Sequence, residues 1–72
     1  MRVHVIHRHL ENGKASFYPM DSLDFVLPLG SLVKHPTKDQ MFKVVDCVLA
    51  NDKIYLMVEP ADVEIKSLLP DW

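Results

Sequence analysis

The sequence has little cysteine and little glycine. Its single cysteine, Cys47, excludes an intrachain disulfide and a zinc site held by several cysteines. The glycines Gly13 and Gly30 stand alone, so a glycine-rich loop that cradles phosphate is missing and nucleotide binding is disfavoured. No apolar run approaches the ~18 residues of a membrane span. The chain has 72 residues, of which 49% are hydrophobic and 25% charged. This length and composition predict one small domain over residues 1–72.

The expected location is the cytoplasm. The free thiol of Cys47 favours a reducing compartment. The first residues, Met1 to His4, do not lead into the apolar segment of a signal peptide.

The shortness of the chain predicts a partner. A domain of this size buries only about 60% of the surface that its unfolded form exposes, so its core supplies little net stability. With no disulfide and no cysteine-held metal, efficient β-packing or self-association is the expected supplement.

The strongest local signal is Asn12-Gly13, which lies between Val3–Glu11 and Lys14–Met20. Both residue types tolerate the positive φ of a type I′ turn, so a hairpin is predicted. A two-residue loop places one row of side chains on the face that we expect to be the core: Ile6, Arg8, Leu10, Ala15, Phe17 and Pro19.

A second hairpin is predicted from Met41–Ala50 and Lys53–Glu59, closed by Asn51-Asp52. Regular alternation gives one fully apolar face: Val45, Cys47, Leu49, Ile54, Leu56 and Val58. The opposite face mixes apolar and charged side chains: Val44, Asp46, Val48, Lys53, Tyr55, Met57 and Glu59. A strand that is apolar on both sides is typical of a closed barrel or of a surface under a partner.

The remaining segments predict a turn or short helical cap at Asp21-Ser22 and a short strand, Ser31–Lys34, after a bend at Pro28 and Gly30. Residues 60–72 fit a strand or a short helix, and we favour a strand ending before Leu68. The predicted fold class is therefore all-β, a small antiparallel meander or closed barrel of five to six strands.

Three segments carry a fold-level resemblance. Their pattern resembles the middle strands of small SH3-like β-barrels: Gly30-Ser31-Leu32-Val33, Lys43-Val44-Val45-Asp46 and Ile54-Tyr55-Leu56-Met57-Val58-Glu59. The resemblance implies a barrel and no particular function, because such folds host many unrelated activities.

The chemistry-bearing residues favour a protein that is not an enzyme and binds no cofactor. Cys47 lies in an apolar row, where we expect a buried, inert thiol. His7 and His9 point to one side of a strand, with Cα atoms roughly 6.6 Å apart. At this distance two imidazole rings can bind one Zn²⁺ or Ni²⁺ ion, but a metal site needs further donors. Asp46 and Glu59 share a face and are interpreted as a charged rim, or as a site for a cation or basic peptide.

Three functional hypotheses follow. The leading one is a protein-interaction or self-assembly module, with a homo-oligomer or another protein as partner. Its predicted interface consists of Val44, Asp46, Val48, Tyr55, Met57, Glu59 and Trp72. The second is a nucleic-acid-binding barrel of the Tudor or Sm kind that uses Lys34, Lys38 and Lys43; a formal net charge of −2 disfavours it. The third is an oligomer with a metal or ligand site between subunits, to which His7 and His9 would contribute.

Overall fold

The computed structural model describes residues 2–71, which form five strands and one short helix. The elements are β1 (Val3–Glu11), β2 (Lys14–Leu23), β3 (Leu32–Lys34), β4 (Met41–Ala50), β5 (Lys53–Ala61) and α1 (Ile65–Leu68). The all-β prediction is confirmed. The described residues contain no helix with the length and apolar character needed to cross a membrane.

All five strands belong to one sheet in the order β2-β1-β5-β4-β3. Three neighbouring pairs are antiparallel, but β1 and β5 run parallel, with Val3 opposite Ile54 and His7 opposite Val58. The sheet is therefore mixed, the predicted antiparallel meander is wrong, and the sheet is not closed. Turn residues determine only the pairing of strands adjacent in the chain, so they carry no information on the β1–β5 pair.

Both predicted hairpins are confirmed, because their turns have the chemistry that a two-residue loop requires. Asn12 and Gly13 have φ values of 52° and 77°, the two positive values of a type I′ turn. In the second hairpin Asn51 takes a φ of 59°. The predicted pairs of the first hairpin are present, including Arg8 with Phe17, and in the second hairpin the predicted register holds from the turn to Asp46 opposite Met57.

Each long hairpin contains one β-bulge. In β2 the ladder steps from Asp21 to Pro19 and leaves Met20 as the extra residue. In β4 it steps from Val44 to Asp46 and leaves Val45 as the extra residue. A bulge shifts the alternation of side chains between the two faces of a strand. Because β2 continues through its bulge to Leu23, the turn expected at Asp21-Ser22 is wrong.

One face of the sheet carries the core. Its buried cluster consists of Val3, Val5, Phe42, Val44, Leu56 and Val58. Residues from the end of β2, the following loop and β3 pack against that cluster: Met20, Leu23, Leu27 and Val33, with Ile54 of β5. We call this face the covered face.

The row of hairpin one that was predicted as core is on the other side of the sheet. Leu10 and Phe17 are 58% and 53% exposed, whereas Val3 and Val5 of the same hairpin are at most 1% exposed. The reason is the parallel pairing with β5. Val5 lies opposite Leu56, so β1 turns its odd-numbered residues towards the core.

The connections are compact. Between β2 and β3 a turn is closed by the Ser31 N–H, which donates to the Pro28 carbonyl over 3.2 Å, and Gly30 has a φ of 89°. After β5 the chain forms the short helix α1, with Ile65 buried. The favoured strand through the tail is therefore wrong beyond Ala61, and a helix forms over Ile65–Leu68 but does not begin at Pro60, which lies in β5.

Candidate interaction surface

The second face of the sheet is lined by apolar side chains that remain in contact with solvent. We call it the open face. It is formed by side chains of β1, β2, β4 and β5: His4, Ile6, Arg8, Leu10, Phe17, Pro19, Lys43, Asp46, Val48, Lys53, Tyr55, Met57 and Glu59. Leu10, Phe17 and Val48 are 58%, 53% and 43% exposed. Such clustering of apolar groups on one surface is typical of a contact site.

The open face brings together most of the predicted interface. Val48, Tyr55 and Met57 lie on it with both predicted carboxylates, Asp46 and Glu59. Trp72 lies outside the described residues.

Val44 does not belong to this surface. It is 1% exposed and lies in the core opposite Val58. The bulge at Val45 is the cause: it lets Val44 face the core before the extra residue and Cys47 face the same way after it.

A three-residue ion network lies within the open face. Arg8 Nη1 donates to Asp46 Oδ2 over 2.7 Å, while Arg8 Nε and Nη2 lie 3.0 and 2.9 Å from Glu59 Oε2. The side chains of Arg8, Asp46 and Glu59 are 26%, 51% and 32% exposed. Hydrogen bonds to Glu59 and Asp46 raise the pKa of Arg8, which therefore stays charged. The cation considered for this carboxylate pair is thus an arginine of the same chain.

Sequence reasoning missed the residues that β1 and β2 contribute to this surface. His4 stacks on Tyr55, with ring centroids 5.3 Å apart and planes inclined by 24°. Ile6 lies opposite Met57 across the parallel pair. The only available signal was the alternation of apolar residues along β1. That pattern does not say which row faces the core until the partner strand is known.

His7 and His9 lie on the other side of β1 from Arg8, with ring centroids 6.2 Å apart. His7 packs edge-on against Phe42 at 4.9 Å, and its Nε2 is buried without a hydrogen-bond partner. Burial lowers the pKa of His7, and the nearby His9 and His35 lower it further. Within residues 2–71, no three His, Cys, Asp or Glu side chains converge as metal ligands would.

The three lysines of the nucleic-acid hypothesis form no free basic patch. Lys34 Nζ donates to the carbonyls of His35 and Lys38, each over 3.2 Å. Lys43 lies opposite Glu59 in the β4–β5 ladder. Of the three, only Lys38, on an exposed loop, has an ammonium group with neither a carbonyl acceptor nor a carboxylate on the neighbouring strand.

Cys47 is exposed, not buried as the sequence suggested. It lies opposite Leu56 on the covered side, but towards the tip of hairpin two, where Leu49 is also 68% exposed. The core does not extend to this end of the hairpin.

A cleft of about 360 Å³ lies between the β3–β4 loop and the segment after β5. Asp39, Asp62 and Glu64 line it, together with Lys66 and apolar side chains. Its lining contains neither a histidine nor a serine or cysteine.

The molecule is flat for its size. Its extents are 40 × 34 × 20 Å, and its Cα radius of gyration is 12.6 Å. A compact domain of this length is expected to have a radius of gyration of about 11 Å. The flat shape reflects a single sheet with packed residues on one of its faces.

Comparisons with protein-family models, with curated proteins and with solved structures found no match for this chain.

Proposed function

We propose that this protein is a non-enzymatic interaction module that binds a protein partner through the open face. The observation that carries the proposal is the exposure of Leu10, Phe17 and Val48 on one side of a sheet whose other side holds the core. Burial of apolar area is the main favourable term in protein association. The proposal places the protein in a reducing compartment, the cytoplasm, because Cys47 is an exposed free thiol.

Two features give the open face specificity. The Arg8–Asp46–Glu59 network is a polar group among apolar neighbours. A partner must either offer hydrogen-bonding groups to these side chains or pack over them without breaking their ion pairs. The stacked pair of His4 and Tyr55 adds a rigid aromatic patch of the kind enriched at interfaces.

The proposed fold type is an opened relative of the SH3-like barrel. The five strands and the bulge in each hairpin support it, since bulges introduce the curvature that such barrels need. The sheet as it stands leaves β2 and β3 as edges.

The nucleic-acid alternative has less support. Arg8 is neutralised by two carboxylates, and Lys34 is held by carbonyls of its own loop. Phosphate binding needs free cationic groups on one surface.

Photo-crosslinking in the cells that naturally make the protein tests the proposal. A benzoyl-phenylalanine is placed either at position 17 or at position 25. The two native phenylalanines are matched in exposure, 53% and 58%, but Phe25 belongs to the loop between β2 and β3 and not to the strands that form the open face. We expect a discrete covalent protein adduct from position 17 and a much weaker one from position 25. No adduct from position 17, or equal adducts from both positions, contradicts the proposal.

A further inference from the structure

We infer that the partner on the open face is a second copy of this chain, packed face to face about a two-fold axis. This inference rests on the proposed function, because it names the occupant of the same surface. Four observations carry it: the surface area, the two sheet edges, the charge of the face and the ion network.

The solvent-accessible area of the chain exceeds the area expected for a folded monomer of its mass. A folded protein of 8.3 kDa is expected to expose about 4,600 Å², whereas this one exposes 5328 Å². The excess, roughly 700 Å², is close to the ~800 Å² that each partner contributes to a standard interface. One further copy is therefore enough to account for the excess.

The sheet edges are poorly suited to assembly. β2 contains Pro19, which has no N–H to donate, followed by the bulge at Met20. The other edge, β3, is only three residues long. Proline, bulges and short edge strands are features that prevent edge-to-edge pairing. Association through the face is therefore favoured over edge-to-edge pairing through β2 or β3.

The charges of the open face nearly cancel. Arg8 and the neighbouring Lys43 and Lys53 exceed Asp46 and Glu59 by one positive charge. A surface without a dominant sign does not select a strongly acidic or basic partner. A second copy presents the same near-neutral apolar face, and a two-fold interface uses one patch on both subunits.

The resulting arrangement is a β-sandwich of two sheets about 10 Å apart. In it the Arg8–Asp46–Glu59 network loses most of its remaining contact with water. Burying a paired charge costs less than burying an unpaired one, which opposes association strongly. Arg8 thus has a defined role: it pairs with both carboxylates and leaves the network with one negative charge, next to Lys43 in the ladder, instead of two.

Sedimentation equilibrium of the wild type, Val48→Asp and Leu49→Asp, from micromolar to millimolar concentration, tests the inference. The two variants alter neighbouring, exposed residues of β4 that point to opposite faces. We expect a wild-type dimer of twice 8.3 kDa, a dissociation constant raised roughly 30-fold or more in Val48→Asp, and no comparable change in Leu49→Asp. A monomeric wild type, or two variants that behave alike while circular dichroism shows both folded, overturns the inference.

A second set of variants tests the same surface without adding a charge. Arg8→Met leaves Asp46 and Glu59 facing each other unpaired, and we expect it to raise the dissociation constant about tenfold or more. Adding Asp46→Asn and Glu59→Gln to Arg8→Met removes both charges and restores dimerisation. Wild-type affinity in Arg8→Met, or no recovery in the triple variant, overturns the inference.

The mass of the photo-crosslinked adduct at position 17 separates the two proposals. An adduct of twice the chain mass supports the second copy. An adduct with a different protein, found together with a monomeric purified chain, overturns this inference and leaves the proposed function standing.

Discussion

The two faces of the sheet are built from the same kinds of residue but differ in what lies over them. On the covered face Val5, Leu56 and Val58 are fully buried beneath the end of β2, the following loop and β3. On the open face Leu10 and Phe17 are more than half exposed, whereas on the covered side such exposure occurs at Tyr18 and Leu49, beyond the core. Residues 2–71 place cover over one face of the sheet and leave the other in contact with solvent.

The two hairpins show how side chains are distributed between these faces. Hairpin one directs Val3 and Val5 to the covered face because β1 docks in parallel on β5. Hairpin two directs both Val44 and Cys47 to that side because Val45 is an extra residue between them. In each hairpin, a long-range contact or a bulge decides which apolar row is buried.

The largest expected effect comes from shifting one strand against its neighbours. Deleting Met57 from β5, which has no bulge, moves Leu56 and Val58 onto opposite faces, so we expect the cooperative unfolding transition to be lost. Deleting Val45 removes only the bulge and keeps Val44 opposite Val58, so the protein should still fold cooperatively. Circular dichroism melts of the two deletions measure the difference. Equal melts would mean that the bulge assignment is incorrect.

A smaller effect is expected from equal truncations on the two faces. Leu56→Ala leaves a cavity in the core and should lower the free energy of unfolding by about 2–5 kcal/mol. Leu10→Ala on the open face should change the stability of the monomer by no more than about 0.5 kcal/mol. Urea unfolding at low protein concentration measures both. Similar losses from the two variants would show that the open face is already packed in the monomer.

The smallest effect is a pH dependence of the covered face. Because the pKa of His7 is lowered from 6.5 on folding, the unfolded state binds a proton more readily than the folded state as the pH falls through this range. The free energy of unfolding should therefore decrease below about pH 6.5 and stay level above it.

Two aromatic substitutions locate this pH dependence. His7→Phe keeps a ring against Phe42 and should weaken the dependence, whereas His4→Phe on the open face should leave the contribution of His7 intact. Melting temperatures between pH 5 and 8 provide the test. An unchanged dependence in His7→Phe would contradict the assignment.

The sequence predicted those parts of the fold that depend on local chemistry. Asn12-Gly13 and Asn51-Asp52 closed both hairpins as expected, and the pairs nearest the turns followed. The parallel contact between β1 and β5, and the bulges at Met20 and Val45, depend on packing between distant segments. For that reason the core row of hairpin one and the burial of Val44 were misassigned.

The candidate surface was predicted in part. Alternation along hairpin two placed Val48, Tyr55 and Met57 on one side with Asp46 and Glu59, and that grouping is present. The contribution of Arg8 depends on the β1–β5 pairing, which brings its guanidinium group between the two carboxylates. A pattern within one hairpin contains no information about such a contact.

Hydroxyl-radical footprinting as a function of protein concentration tests the central claim most directly, because it measures the accessibility of individual side chains. Phe17 on the open face and Phe25 in the loop start from similar exposures, 53% and 58%. If a second copy covers the open face, the oxidation of Phe17 and Met57 decreases as the concentration rises, while that of Phe25 stays constant. Oxidation of Phe17 and Phe25 that remains equal at every concentration would contradict the account.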